Sequence, residues 1–129
     1  MTDKVAGPDG SALSEGLERA RWRPEVVAFA DAMEAKLQAN DHKGGWQEDA
    51  PHDLLRRLIE ETAEVVRVMR PEKGSQDFHA AAAMLDAAAD MLRRWGPGLR
   101  TSADQDAVRG ECADVGNFAL MVADRFGAL

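Results

Sequence analysis

The chain has 129 residues with 16 basic and 23 acidic side chains, which gives a formal net charge of −7 at pH 7. This length is typical of one domain. The negative charge argues against non-specific binding to a nucleic-acid backbone or an anionic membrane, since both need a basic face. Nucleotides are not excluded, because a divalent cation can bridge carboxylates and phosphates. Aromatic residues make up only 5% and alanine is abundant, which favours helices over a β-sandwich.

The cellular setting follows from what the sequence lacks. The single cysteine, Cys112, cannot form an internal disulfide, which favours a reducing compartment; we expect it to be a small buried apolar side chain. No apolar run reaches the roughly 18 residues that a membrane span needs, and the N-terminal segment has no apolar signal-peptide centre. We therefore predict a cytoplasmic protein with no membrane or nucleic-acid partner.

The first half of the chain predicts a leader and two helices. Residues 1–16 are rich in Gly, Ser and Pro and predict a flexible leader, followed by one domain over residues 17–129. Apolar residues recur at helical spacing after two prolines. Proline suits the first turn of a helix because it lacks the N–H that has no partner there. We predict helices over residues 24–39 and 51–70, joined by a loop over 40–50.

Two further helices complete the predicted fold. An alanine-rich helix covers residues 76–94 and ends before Gly96. The last helix is capped by Thr101 or Ser102 and ends at Gly127. Four helices and no convincing strand predict an all-α, four-helix-bundle-like fold. The apolar stripes exceed what four modest helices can bury, so we predict a homodimer or homotetramer in which neighbouring subunits complete the core.

Two acid pairs lie beside the apolar stripes. At about 100° per residue, Glu61 and Glu64 fall on the edge of the apolar face of the second helix, with Glu60 further round. In the last helix, Glu111 and Asp114 lie one turn apart within the stripe itself. Carboxylates facing a bundle core are costly unless paired or metal-bound, and two of them about 4 Å apart repel by roughly 4 kcal/mol at an effective dielectric constant near 20. Mg²⁺ prefers such hard oxygen ligands, so the pattern predicts a magnesium site between the two helices.

Other interpretations of these acids stay open. An acidic triplet is common on solvated helices, and the Glu111 and Asp114 pair can form salt bridges with arginine. The arginines available to a purely structural bundle precede the acids in sequence: Arg56, Arg57 and Arg109. The shared spacing on two core-flanking helices favours the metal site over either alternative.

At these residues the sequence resembles the MazG-like nucleotide pyrophosphohydrolases. This all-α family carries an E-E-x-x-E segment on one helix and an E-x-x-D segment on a later one, found here at residues 60–64 and 111–114. The flanking residues 40–46 and 114–124 are also similar to small family members from phages and bacteria, and the resemblance covers about residues 29–129. The two motifs are unusually far apart, and residues 71–100 look like an insertion, or an enlarged helical hairpin, between the metal-binding helices.

The resemblance implies hydrolysis of a nucleoside triphosphate between the α and β phosphates, giving a monophosphate and pyrophosphate. The resemblance to phage-type members further implies a dNTP as the substrate, with a purine slightly favoured. The implied ligands of one to three Mg²⁺ ions, which Mn²⁺ can replace, are Glu61, Glu64, Glu111 and Asp114. Such ions bind phosphate oxygens, lower the pKa of a bound water and offset charge growing at phosphorus. Glu60 is the candidate catalytic residue that orients or deprotonates the attacking water; holding a metal ligand and a merely solvated role stay open.

Three further side chains are candidates for substrate binding. Lys43, in a glycine-containing loop, can hold a phosphate, and Trp46 can stack on a base. Asn117, one turn after Asp114, can hydrogen-bond to sugar or base. The competing interpretations are a solvated lysine, a tryptophan at the edge of the core and a structural amide.

Two other functions remain open beside the leading one. The first is a pyrimidine-specific hydrolase, similar to dUTPases or dCTPases, on the same metal scaffold. The second is a non-catalytic helical module that binds a nucleotide or a partner protein. The absence of a G-x-x-x-x-G-K-[ST] segment argues against a P-loop NTPase.

Overall fold

The computed structural model describes residues 21–94 and 104–129, so the predicted leader at 1–16 lies outside the described residues. The described chain forms four α-helices: α1 (Pro24–Asn40), α2 (Pro51–Val68), α3 (Ser75–Leu92) and α4 (Gln105–Arg125). No strand occurs in these two segments, which confirms the all-α prediction. Among the helices that the structure describes, none combines the length and apolar character that a bilayer crossing needs.

Two helices begin where the sequence predicts, and one begins later than predicted. Pro24 and Pro51 each occupy the first turn of a helix, as predicted. The prediction that Thr101 or Ser102 caps the last helix is wrong, because that helix begins two to three residues later. Its N-cap is Asp104, whose carboxylate accepts a hydrogen bond at 2.9 Å from the backbone N–H of Asp106. Thr101 and Ser102 themselves lie outside the described residues.

Glycines mark the ends of two elements. Gly127 follows α4 with a φ of 72°, and its N–H donates to the carbonyl of Asp124 at 2.9 Å. This left-handed turn after the last helix confirms the predicted stop. The predicted loop over residues 40–50 differs in one detail, since it starts with a 3₁₀ helix over Asp41–Lys43 that ends at Gly44, where φ is 84°.

The chain divides into two compact units, which we name by their helices. The α1–α4 unit comprises Met1–Gly44 and Ala103–Leu129, and the α2–α3 unit comprises Gly45–Ser102. Within the first, α1 contacts α4; within the second, α2 and α3 pack along each other. The segment expected to be an insertion thus supplies the helix that packs against α2.

The buried core of the described residues is small and consists of alanine. Ala63 on α2 and Ala82 on α3 are fully buried, and Ala89 is 1% exposed. Small side chains at a helix contact allow the two axes to approach to about 8 Å, the lower end of the usual range. The α2–α3 unit is therefore a closely packed helix pair.

Large apolar side chains stay exposed on both units. In the α2–α3 unit, Val68 is 79% exposed and Met84 is 73% exposed. On α4, Phe118 is 69% exposed, and no residue of that helix is buried. Cys112 is exposed as well, so the prediction of a buried cysteine is wrong, because α4 contributes no buried position that it could occupy.

Candidate functional site

The predicted metal ligands are distributed over both units. Glu61 and Glu64 lie one turn apart on α2, and Glu111 and Asp114 lie one turn apart on α4. All four are exposed, whereas Glu60 is half-buried. In the described segments, no group of three or more His, Cys, Asp or Glu side chains lies close enough together to hold a metal ion.

Glu60 is held by two arginines from two helices. The Oε1 atom of Glu60 accepts a hydrogen bond from Arg56 Nη1 at 2.7 Å, within α2. The same oxygen accepts one from Arg93 Nη2 at 3.3 Å, and Arg93 caps the end of α3. Partial burial raises the pKa of Glu60, but the hydrogen bonds and positive charges of the two arginines outweigh it and hold the pKa below its usual value.

This environment bears on the chemistry that Glu60 can perform. A carboxylate with a lowered pKa is a weaker proton acceptor at neutral pH. Its geometry, by contrast, is fixed by two charge-assisted hydrogen bonds. The arrangement favours orienting a water or a ligand over deprotonating one, and Glu60 is a paired side chain instead of a freely solvated one.

Glu64 shares an arginine with an acid of the neighbouring helix. Arg67 Nη1 donates to Glu64 Oε1 at 2.7 Å, and Arg67 Nη2 donates to Asp86 on α3. The hydrogen bond to Asp86, opposed by desolvation, raises the pKa of Arg67, so its guanidinium is a permanent positive charge here. Arg67 therefore links α2 to α3 and neutralises part of the charge on Glu64.

The remaining predicted ligands have no charged partner in the part of the chain that the structure describes. The side chains of Glu61, Glu111 and Asp114 form no hydrogen bond or ion pair with any other residue that the structure describes. Each is an exposed carboxylate that can accept a hydrated cation without first breaking a protein contact. Carboxylate oxygens are hard donors, the type of ligand that Mg²⁺ prefers.

The arginines that a structural interpretation would assign to these acids lie mostly elsewhere. Arg57 is 3.8 Å from Asp49, and Arg109 donates to Asp106 at 2.7 Å. Of the three arginines considered from the sequence, only Arg56 contacts an acid of the predicted site. The interpretation of these acids as structural salt-bridge partners of arginine is therefore supported at Glu60 but not at the E-x-x-D segment.

The three candidate substrate-binding residues are all exposed. Lys43 ends the 3₁₀ helix, and Asn117 lies on α4 one turn after Asp114; both belong to the α1–α4 unit. Trp46 belongs to the α2–α3 unit, where its carbonyl accepts a hydrogen bond from the N–H of Asp49 at 3.0 Å. Its side chain is 53% exposed, so a face of the indole is available for stacking.

Sequence reasoning missed three residues around the acids of α2. Arg67 could have been found, since it follows Glu64 by three positions and such pairs meet on a helix surface. Arg93 and Asp86 could not, because their contacts join residues 33 and 19 positions apart. Those contacts exist only once α3 packs against α2.

No family model, curated protein or solved structure matches the chain. The resemblance to MazG-like proteins accordingly rests on the segments at residues 60–64 and 111–114 and their flanks.

Proposed function

We propose that the chain is a magnesium-dependent nucleoside triphosphate pyrophosphohydrolase, which converts a (d)NTP to the (d)NMP and pyrophosphate. The observation that carries the proposal is that the carboxylates of Glu61, Glu111 and Asp114 have no hydrogen bond or ion pair among the described residues. Exposed carboxylates paired one turn apart, in a chain of net charge −7, concentrate negative charge that a divalent cation offsets. The proposed ligands are these three residues and Glu64.

We assign to each side chain a role that its chemistry supports. Bound Mg²⁺ supplies an acidified water and charge stabilisation at phosphorus. Glu60, fixed by Arg56 and Arg93, orients the attacking water. Lys43 contacts the phosphates through its ammonium group, and Trp46 stacks on the base.

The remaining parts of the proposal concern the substrate and the assembly. We propose a dNTP with a purine base as the preferred substrate, and Asn117 as a hydrogen-bonding group for sugar or base. The exposed apolar side chains of α3 and α4 support a homodimer or homotetramer. The lone cysteine supports a cytoplasmic location.

The test is turnover with each of the common NTPs and dNTPs in Mg²⁺, with identification of the products. Release of pyrophosphate supports the reaction class, and the ranking of rates identifies the substrate. A preference for dUTP or dCTP would replace the purine proposal by a pyrimidine-specific enzyme. Absence of turnover combined with tight nucleotide binding would indicate a non-catalytic module.

Two variants connect turnover to the acids. Glu61→Gln and Asp114→Asn keep the shape of each side chain but remove its charge, so each is expected to abolish turnover while leaving helix content unchanged. The matched control is Glu72→Gln, which removes one negative charge from an exposed side chain in the α2–α3 loop. Equal turnover in all three variants would contradict the proposal.

A further inference from the structure

Each helix of the α2–α3 unit carries two seams of residues that repeat in steps of three, four and three. Such spacing lines one face of a helix toward a neighbouring helix. The packed seam, whose members are all buried or half-buried, consists of Arg56, Ile59, Ala63 and Val66 on α2 and of Ala82, Leu85, Ala89 and Leu92 on α3. The outer seam lies one residue earlier at every position and is exposed; it consists of Leu55, Leu58, Thr62 and Val65 on α2 and of Ala81, Met84, Ala88 and Met91 on α3.

The outer seams of the two helices lie on the same side of the helix pair. Ion pairs join Arg67 to Asp86 and Glu60 to Arg93. Seven residues back along α2 thus correspond to seven residues forward along α3, so the two helices are antiparallel. A shift of one residue turns a side chain by about 100° around its helix. In an antiparallel pair, the same shift on both helices turns both outer seams to one side.

The two sides of the helix pair differ in polarity. The residues one position after the packed seam lie on the other side, where Glu60 and Arg67 on α2 and Asp86 on α3 form ion pairs. The outer seam has no charged residue, and its one polar side chain is Thr62. The hydroxyl of Thr62 donates to the carbonyl of Leu58 at 2.8 Å, so burying it leaves no donor without a partner. Burial of the outer seam side is therefore favourable.

Two seams on each helix are the pattern of a four-helix bundle. In such a bundle each helix contacts two adjacent helices, in directions roughly at a right angle to each other. The packed and outer seams are about 100° apart, which is close to that angle. The packed seam joins α2 to α3, and the outer seams place both helices to contact a second antiparallel pair.

We propose that the outer seams bind the α2–α3 unit of a second copy, so that two copies form a four-helix bundle about a two-fold axis parallel to the helices. This axis sets the α2 seam of one copy on the α3 seam of the other. Because the rotation does not shift either copy along the axis, Val65 lies level with Ala88 of the second copy, and Thr62 lies level with its Met91. Each level pair joins a larger side chain to a smaller one, which is the complementarity that a packed core requires.

The size of the apolar face agrees with a dimer. Helices of 18 residues are about 27 Å long, and a packed pair is about 18 Å wide. The face thus covers on the order of 500 Å² on each copy, and two copies together bury about 1,000 Å², which is what a specific interface needs. A second copy is favoured over a charged partner because the face offers no charge for such a partner to meet.

This inference names an interface for the homo-oligomer of the proposed function and rests on that part of it alone. It needs neither the metal ion nor the nucleotide. Absence of turnover therefore leaves the interface standing, and a monomeric mass leaves the proposed reaction untouched.

The experiment is light scattering of the full chain during size-exclusion chromatography, over a series of concentrations. We expect twice the mass of the chain, falling toward the monomer mass on dilution. Ala88→Glu buries two carboxylates in the dimer, and at about tenfold for each it should raise the dissociation constant about a hundredfold. Val65→Lys on the facing seam should act in the same way.

Matched controls separate the interface from helix propensity and net charge. Ala83→Glu makes the same change on the charged side of α3, at an exposed position. Val68→Lys makes the second change at a side chain of α2 that is 79% exposed and outside the outer seam. Both controls are expected to keep the mass and the dissociation constant of the unmodified chain. Circular dichroism follows the helix content of every variant.

A mixture of Ala88→Glu and Val65→Lys tests which seams face each other. In a mixed dimer the lysine of one copy lies level with the glutamate of the other, so the mixture should form dimers although each variant alone does not. A monomer at every concentration would overturn the proposal, as would a dimer that Ala88→Glu weakens no more than Ala83→Glu. Failure of the mixture to form dimers would also overturn it, because the α2 seam would then not face the α3 seam.

Discussion

Replacing Ala82 with leucine tests the close packing of α2 and α3. Ala82 is fully buried, as is Ala63 on the facing helix. The substitution adds three carbon atoms to a side chain that has no solvent-exposed surface. Leucine and alanine have similar helix propensities, so the effect reports packing and not the stability of α3 alone.

The magnitude follows from the geometry of the contact. Helix axes lie about 8–10 Å apart according to the side chains between them, and a leucine at an alanine contact requires the upper end of that range. Overpacking of this kind lowers the free energy of unfolding by about 1–3 kcal/mol. A separation of the helices by about 1 Å would also take the 3.3 Å contact between Arg93 and Glu60 out of hydrogen-bonding range.

Thermal unfolding followed by circular dichroism measures the effect. We expect Ala82→Leu to lower the Tm by roughly 3–12 °C, at about 3–4 °C per kcal/mol. The matched control is Ala83→Leu, at the next and exposed position of α3, which should change stability by less than about 0.5 kcal/mol. Equal Tm values for the two variants would refute the packing of α3 against α2.

Three further predictions concern single residues. Asp104→Ala removes the N-cap of α4 and should lower the free energy of unfolding by about 1 kcal/mol; Asp104→Asn should restore it in the same unfolding assay. Gly74 has a φ of 87°, so Gly74→Ala should destabilise by about 1–2 kcal/mol, whereas Gly110→Ala, inside α4 with nothing near the added Cβ, should stabilise by about 0.5–1 kcal/mol. Carboxyl NMR titration should find the pKa of Glu60 below its usual value and raised by Arg93→Gln. Folding lowers the pKa of Glu60, so the ionised side chain adds to the free energy of unfolding. This contribution is fully present above the pKa of Glu60 in the unfolded chain and is lost as the pH falls through its pKa in the folded chain.

The helices could be predicted from the sequence because their signals are local. Pro24 and Pro51 fix helix starts through the chemistry of a single residue, and Gly127 fixes an end because glycine tolerates a positive φ. The cap of α4 was misplaced because Thr101, Ser102 and Asp104 are all good N-cap residues, and sequence alone does not rank them.

The surroundings of the acids could be predicted only in part. Helical spacing correctly placed Glu61 and Glu64 one turn apart, because that relation is set by the helix alone. The same spacing does not indicate which arginine side chain contacts each acid. Arg67 and Arg93 reach their partners through the packing of α3 on α2, which depends on buried alanines that no periodic pattern in the acids reveals.

The E-E-x-x-E segment itself permits a last prediction. Like charges three or four residues apart on a helix are mutually destabilising by about 0.2–0.5 kcal/mol per pair. Arginine contacts offset this repulsion at Glu60 and Glu64, but Glu61 has no such contact among the described residues. Among the described residues, Glu61 thus adds repulsion without a compensating ion pair.

We therefore expect Glu60→Gln, but not Glu61→Gln, to lower the Tm. Glu61→Gln relieves repulsion and should leave the Tm unchanged or raise it, with a gain of no more than about 0.5 kcal/mol. Glu60→Gln removes the acceptor shared by Arg56 and Arg93 and should lower the Tm. Parallel thermal scans near pH 7 measure both. A clear loss of stability in Glu61→Gln would mean that Glu61 has a structural partner. The argument that its carboxylate is available to bind a cation would then fail.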